Sequence, residues 1–485
     1  MGQLLSSTAA IETRPERGRS VAILCFMPDY GHLQPLLKIA DALRGAGFDV
    51  TCYIAEECAP LMQRFDFAYC TIAGTEDLKN QTKMRKIFAG GIFFNAVCLY
   101  VHTLQMYPRL GPSVAAAAPE LRRWLEAQRP DLVVADGLWF GDLYARMAQW
   151  VGAPLVLNSL DGSLAYAQSR FVQIYGVSTV APLVQAGLGR LAAISKTLCA
   201  GFYRARHPRI WLRVRAAKRA VSQAFETAFP LRGPALPNPH WIVSGTAPLE
   251  RQHLAQSLRT AAATRAEFGP LRFRSSLKLT DGLQAWIEAD SETPVVYVSF
   301  GSAVDLDRPF ATAVYEGLGK LPARILWRLP ENQQALLEGC PRAEHIRIET
   351  FVPQAEVLEH PRVRCFVTQA GPHSVQEALF GATPMLCIPF FVDQAYNSAI
   401  VEHLGVGRRL WRSELTAERV EGAVRALLDQ PAYAERAAAL RDELNKGDAA
   451  GDVVSFLSDL ISPRLRILKA TAKYSTADQS RHSLA

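Results

Sequence analysis

Short apolar runs alternate with longer stretches in which apolar residues return every three or four positions. Val21–Met27 is a continuous apolar run, as expected of a strand buried on both faces. It breaks at Pro28-Asp29-Tyr30-Gly31-His32, read as a loop. Leu36, Leu37, Ala40, Leu43 and Ala46 then recur at helical spacing up to a capping Gly47, and Asp49–Ile54 forms the next strand. The rhythm continues with a helix at Leu121–Ala127 stopped by Pro130, a strand at Asp131–Ala135, a helix over 141–151 and a strand at Pro154–Asn158. Trp241–Ser244 reads as the last strand of this half. A second series opens at Pro294: strands Val295–Phe300, Ala323–Leu329 and Ile346–Phe351 surround a helix over 308–319. Helices near 395–404, 416–429, 431–446 and 450–462 close it. Strands alternating with helices imply an α/β chain with two doubly wound parallel sheets facing across a cleft. The expected division is a flexible leader 1–19, a first domain 20–246, an Ala/Arg/Ser-rich linker 247–290, a second domain 291–462 and a polar tail 463–485.

Within this frame one stretch, Phe351 to Gln394, compresses the signals of a nucleotide site. The apolar run Cys365–Thr368 ends in Ala370-Gly371-Pro372; a helical pattern with Ser374 and Glu377 follows, then the apolar run Pro384–Pro389 and the polar pair Asp393–Gln394. A helix starting after a tight turn offers unpaired N–H groups and a positive dipole end to phosphate. Glu377, one turn in, has the chemistry to bind ribose hydroxyls. In the first half His32 and Asp136 both fall at carboxyl ends of strands, where open α/β sheets hold ligands. Each has a plainer reading: His32 as a solvated loop residue, Asp136 as a turn or cap. Ile92–Leu104 fits either a core helix or the wall of an acceptor pocket.

Composition narrows the class. With 485 residues, 49% apolar and 20% charged, the chain is that of a globular protein of two or three domains. Nine cysteines are scattered without metal spacing, which suggests reduced thiols in a cytoplasmic compartment, and Cys25, Cys365 and Cys387 sit in apolar runs as core. The net charge of +7 is local: ten Lys and Arg and no acid lie between Asp161 and Glu226. A basic surface for nucleic acid is therefore not expected. Within that interval, Ile210, Trp211, Val214 and Val221 line one helical face with arginines on the others. The segment 204–219 is read as a solvated basic helix, an interfacial membrane helix or a basic lip over an acceptor. The start MGQLLSS fits the pattern for myristoylation at Gly2, with Ser6 in place. Together the two features suggest peripheral association with an anionic membrane face.

With these residues placed, the chain over roughly 20–460 resembles the UDP-sugar-dependent glycosyltransferases that modify lipophilic small molecules, which have the GT-B fold of two Rossmann-like domains. The stretch 351–394 matches the 44-residue donor box of that family. The resemblance implies that Phe351 stacks on uracil, with Val352 and Gln354 beside the uridine. It implies that Ser374, with Gly371 at the helix start, meets phosphate, that Glu377 binds ribose, and that Asp393 and Gln394 hold the sugar. Gly301-Ser302 matches the loop near the diphosphate. PDYGHLQP matches the signature of the catalytic base, so His32 inherits that role, with Asp136 as its partner. The implied reaction is inverting transfer of a hexose, glucose by Gln394, from a UDP-sugar to a hydroxyl of a lipophilic acceptor, with no metal or other cofactor. Two positions depart from the family: Gln369 stands where it has a phosphate-contacting His, and His373 where it has Asn. The alternative they motivate is a glycosyltransferase-like protein that binds or partners without catalysing.

Overall fold

The computed structural model describes residues 19–28, 30–62, 67–74, 92–137, 140–159, 208–231, 240–244, 265–272, 278–301, 304–341, 343–390 and 392–461. The thirteen strands among them form two sheets, parallel throughout. The first runs β3-β2-β1-β4-β5-β6-β7 and the second β10-β9-β8-β11-β12-β13. In the first sheet these are β1 (Ser20–Cys25), β2 (Asp49–Ala55), β3 (Ala68–Ile72), β4 (Leu132–Asp136), β5 (Leu155–Ser159), β6 (His240–Ser244) and β7 (Arg265–Phe268). In the second they are β8 (Val295–Ser299), β9 (Arg324–Arg328), β10 (Ile346–Glu349), β11 (Val363–Thr368), β12 (Met385–Cys387) and β13 (Gly407–Arg409). β4 and β8 are buried at every residue, which explains why the central strands read as unbroken apolar runs.

The helices used below are α1 (Tyr30–Gly45), α2 (Ile92–Gln128), α3 (Gly141–Val151), α4 (Pro208–Ala228), α5 (Asp281–Glu288), α6 (Arg308–Gly319), α7 (Gln354–Glu359), α8 (Pro372–Phe380), α9 (Val392–His403), α10 (Ala417–Asp429), α11 (Pro431–Lys446) and α12 over 449–461. Their starts follow from capping chemistry. Thr280, Asp307 and Thr416 each accept, through a side-chain oxygen, from the backbone N–H three residues on.

Several expectations need correction. The helix read at 121–127 is the end of α2, which carries Pro108, Pro112 and Pro119 inside it. Ile92–Leu104 is therefore helical backbone; its side chains lie outside the described residues. Trp241–Ser244 is not the last strand of the first sheet, because β7 pairs with β6 from within the expected linker. Further along the same segment, α5 packs Leu283 and Ile287 under the second sheet. The second domain's expected end also crosses back. Val453, Leu457 and Ile461 of α12 belong to the core of the first sheet, and Phe456 stands 5.8 Å from Phe268 of β7. Each of those three aliphatic side chains contributes roughly 1.5–3 kcal/mol by burial. Residues 1–18 and 462–485, which hold Gly2 and the tail, lie outside the described residues, as do Arg204 and Arg206.

Cys25, Cys365 and Cys387 are buried in the two cores, and burial pushes the Cys365 thiol up to about 12. Among the described residues no helix is long and apolar enough to cross a membrane.

Candidate functional site

Both sheets reverse strand order at one point, and the candidate residues gather at those two points. In the first sheet the reversal lies between β1 and β4. His32 follows β1 and Asp136 ends β4, so neighbouring strands deliver both. The loop expected at 28–32 is shorter than read: α1 begins at Tyr30, which puts His32 in its first turn. His32 Nδ1 lies 3.2 Å from Asp136 Oδ1. The carboxylate is nearly buried and the imidazole is 16% exposed at its side chain. In the neutral ring this geometry has Nδ1–H donate to Asp136, which makes Nε2 the basic nitrogen. Among the described residues Asp136 Oδ2 is buried with no hydrogen bond, and the His32 ring is the partner of Oδ1.

In the second sheet the reversal lies between β8 and β11. The loop after β8 carries Gly301, and the loop after β11 carries Gln369, Ala370 and Gly371. Gly301 has φ of +72°. Arg328 Nη1, at the end of β9, donates to its carbonyl at 3.1 Å, and burial draws that guanidinium below its ordinary pKa. Gln369 is buried; its Oε1 accepts from Thr368 Oγ1 at 3.0 Å, which turns Nε2 toward Gly301 and Gly371. Ala370 takes a left-handed φ of +63°, and Asn397 Nδ2 of α9 donates to its carbonyl at 2.9 Å. These bonds hold a strained turn in one shape just before α8. Gly371 caps α8 and Pro372 is its first residue. A proline there loses nothing, since first-turn N–H groups have no helical acceptor. The amides of His373 and Ser374 belong to that same first turn and present a positive end.

Three further residues of the stretch, Gln354, Ser374 and Glu377, form one network with Tyr297. Tyr297 Oη donates to Gln354 Oε1 at 3.2 Å, and Gln354 Nε2 reaches Ser374 Oγ at 3.1 Å and Glu377 Oε2 at 2.6 Å. Burial raises the pKa of Glu377, against Lys38 and the Gln354 amide, which favour its charged form. Phe351 is 48% exposed, one of few large apolar side chains so displayed among the described residues. Val352 instead packs its side chain into the core with Leu358 and Val375. Gln394 is buried, and its Oε1 accepts from Phe390 N at 2.9 Å. Asp393 is the second residue of α9; its side chain, like Ser302, lies outside the described residues.

The two halves touch at this place. Pro35 has no N–H to give the carbonyl of Gly31 four residues back, and His373 Nε2 lies 3.3 Å from that oxygen. Burial, with the cation of Lys38 next, lowers the His373 pKa to about 3, so the ring is neutral and its Nε2–H is the donor. Lys38 Nζ donates to Gln376 Oε1 at 3.1 Å. Sequence reading missed Gln34, Lys38, Arg328 and Asn397. For Lys38 a signal existed: it is a lone charge among Leu36, Leu37, Ile39 and Ala40.

Residues 268–445 match the family model described as UDP-glucoronosyl and UDP-glucosyl transferase. The human UDP-glucuronosyltransferase 1A6 is 32% identical over 168 residues, 34% of this chain and 31% of its own length. Human UDP-glucuronosyltransferase 1A1 is 34% identical over 158 residues, covering 32% and 29%. The chain thus spans about a third of the length of the curated relatives it matches. Solved structures align over far more. A UDP-glucose:anthocyanidin 3-O-glucosyltransferase in complex with UDP covers 92% of this chain and 99% of its own at a TM-score of 0.61 and 19% identity. Os79 from O. sativa in complex with UDP covers 91% and 100% at 0.63 and 19%. The glycosyltransferase SnogD from Streptomyces nogalater covers 92% and 100% at 0.59 and 16%. At such identity these alignments speak to the fold, two parallel-sheet domains in the GT-B arrangement. The sequence match is confined to the second half, where the chain is similar to UDP-glucuronosyl- and UDP-glucosyltransferases, while both halves together share the GT-B arrangement.

Proposed function

We propose that the chain transfers a sugar from a UDP-sugar to a hydroxyl of a lipophilic small molecule, with inversion at the anomeric carbon. The observation that carries this reading is the His32–Asp136 pair set against the N-terminus of α8, with Gly31 and His373 joining the two. An acceptor hydroxyl attacks the anomeric carbon while the bond to the β-phosphate oxygen breaks. His32 Nε2 takes the hydroxyl proton, a role worth roughly 10²–10⁴-fold, and Asp136 holds the tautomer and steadies the imidazolium. Charge on the leaving UDP is met by the first-turn amides of α8, the Ser374 hydroxyl and the Gln369 amide, and the proposal assigns the reaction no metal or other cofactor. Phe351 offers its exposed face to uracil and Glu377 its carboxylate to ribose. Val352 contributes to the uridine end through its backbone, and Asp393 and Gln394 hold the sugar.

The sugar we assign is glucose, on Gln394; the acceptor pocket is drawn from Ile92–Leu104 and the segment after Asn158. Gly2 acylation and the basic segment 204–219, whose part from Pro208 is α4, hold the protein at an anionic membrane face, and flotation of Gly2→Ala with anionic liposomes tests that. The central test is UDP release with UDP-glucose and UDP-glucuronic acid against a panel of hydroxylated lipophiles, read with mass spectrometry of the product. Turnover in the parent that survives unchanged in His32→Ala removes His32 from the mechanism. The non-catalytic alternative, motivated by Gln369 and the neutral His373, predicts no product from any donor. The assembled His32–Asp136 pair favours catalysis over it.

A further inference from the structure

α1 and α8 meet along one face of each. Gly31, Gln34 and Lys38 are three and four residues apart, which stacks them on one side of α1. His373, Gln376 and Glu377 are stacked in the same way on α8. Three contacts join the faces: His373 with the Gly31 carbonyl, Gln34 with the Glu377 carboxylate, and Lys38 Nζ with Gln376 Oε1. Lys38 is only 5% exposed, at a position flanked by fully buried Leu37 and Ile39. A buried ammonium is costly unless acceptors and an opposite charge meet it. Here the acceptor and the opposite charge, Gln376 and Glu377, both sit on the other domain. Burial lowers the Lys38 pKa to about 8, and Glu377 resists that shift. Lys38 in turn favours the charged form of Glu377 and the neutral form of His373, the two titratable groups of α8 that face it.

We propose that Lys38 is a positioning residue for the donor: its ammonium, carried on the first domain, anchors the Gln376–Glu377 edge of α8, so the ribose-binding carboxylate is set only when the domains are together. This rests on the UDP-sugar reading above and adds to it that donor binding and domain approach are one event. The catalytic pair and the donor helix are then drawn together through α1, which carries both His32 and Lys38.

The test measures UDP affinity by calorimetry and donor and acceptor KM by turnover, in the parent, Lys38→Met, Lys38→Arg and Gln376→Met. Circular dichroism verifies that each variant is folded. Lys38→Met should weaken UDP binding and raise donor KM about tenfold, the scale of one charge-assisted bond, with acceptor KM unchanged. Lys38→Arg should stay within about threefold of the parent, because it keeps the cation. Gln376→Met should weaken UDP binding in the same direction. Unchanged UDP affinity in Lys38→Met overturns the proposal, as does a Lys38→Arg variant as weak as Lys38→Met, which would make the side chain a matter of packing alone. A parent that binds no UDP sinks the donor reading and this inference together. A parent that binds while Lys38→Met binds equally well sinks this inference only.

Discussion

Gly301→Ala is a perturbation whose size can be worked from the geometry. Gly301 has φ of +72°. An L residue placed there loses about 1–2 kcal/mol to contact between its Cβ and the backbone. The added Cβ would also overlap Gln369 Nε2 and lie 3.2 Å from Gln369 Cδ. The amide has to turn aside, and turning breaks the bond from Thr368 Oγ1 to Gln369 Oε1 in a buried place. That loss is roughly 1 kcal/mol. Together the effects come to about 2–3 kcal/mol, or roughly 5–10 °C in Tm for a domain of this size. UDP affinity should fall by about tenfold as well, because the displaced amide no longer faces the phosphate position. The assay is a double-mutant cycle of Gly301→Ala with Gln369→Ala, read by thermal unfolding and by UDP calorimetry. In the Gln369→Ala background the overlap is absent, so Gly301→Ala should cost only the backbone part and the cycle should show coupling of about 1 kcal/mol. An equal cost in both backgrounds would refute the reasoning about Gln369. No cost in either would refute the left-handed geometry at Gly301.

His32→Ala should lower kcat by roughly 10²–10⁴-fold while UDP affinity stays at the parent value; Asp136→Asn should lower kcat in the same direction with the fold intact. Equal turnover in steady-state assays would contradict both. Phe351→Ala should leave Tm within about 1 °C and weaken UDP binding by roughly 1–3 kcal/mol, and Phe351→Trp should bind at least as well as the parent. Acid sensitivity follows from His373. Its pKa is drawn from 6.5 to about 3, so in that window the unfolded chain binds the proton that the folded chain refuses. The stability it contributes is whole above pH 6.5 and is lost as pH falls from there toward 3. Glu377, raised by burial, works in the opposite sense above its ordinary value, so the comparison to make is parent against His373→Gln. The variant should lose less stability between pH 7 and 5 in denaturant titrations, and parallel curves would exclude His373 as the cause.

Sequence carried the strand-and-helix alternation well because the central strands are buried on both faces and leave unmixed apolar runs. It also placed His32 and Asp136 at the carboxyl ends of strands, and in the structure they lie 3.2 Å apart. Lys38 and Gln376 escaped because 338 residues separate them and neither pattern names its partner. β7 escaped for another reason: Arg265–Phe268 is a four-residue edge strand, too short to show a period. Pro108, Pro112 and Pro119 disguised α2, because a proline inside a helix removes one bond but neighbouring packing can keep the rest. α12 was readable as a helix, yet nothing in its apolar stripe told which of two cores it covers.

The return of α12 to the first sheet has a consequence for how the protein is made. The strands of that sheet are complete at Phe268, but the helix that covers β6 and β7 begins only at 449. At roughly 5–20 residues per second, synthesis leaves that apolar strip uncovered for on the order of ten seconds or more. The amino-terminal half therefore cannot finish folding when its own sequence is finished, and its nascent form presents a sticky groove that chaperones are built to shield. A chain cut before 449 should expose the same groove permanently, so loss of α12 should appear first as aggregation of the half that lies farthest from it in sequence.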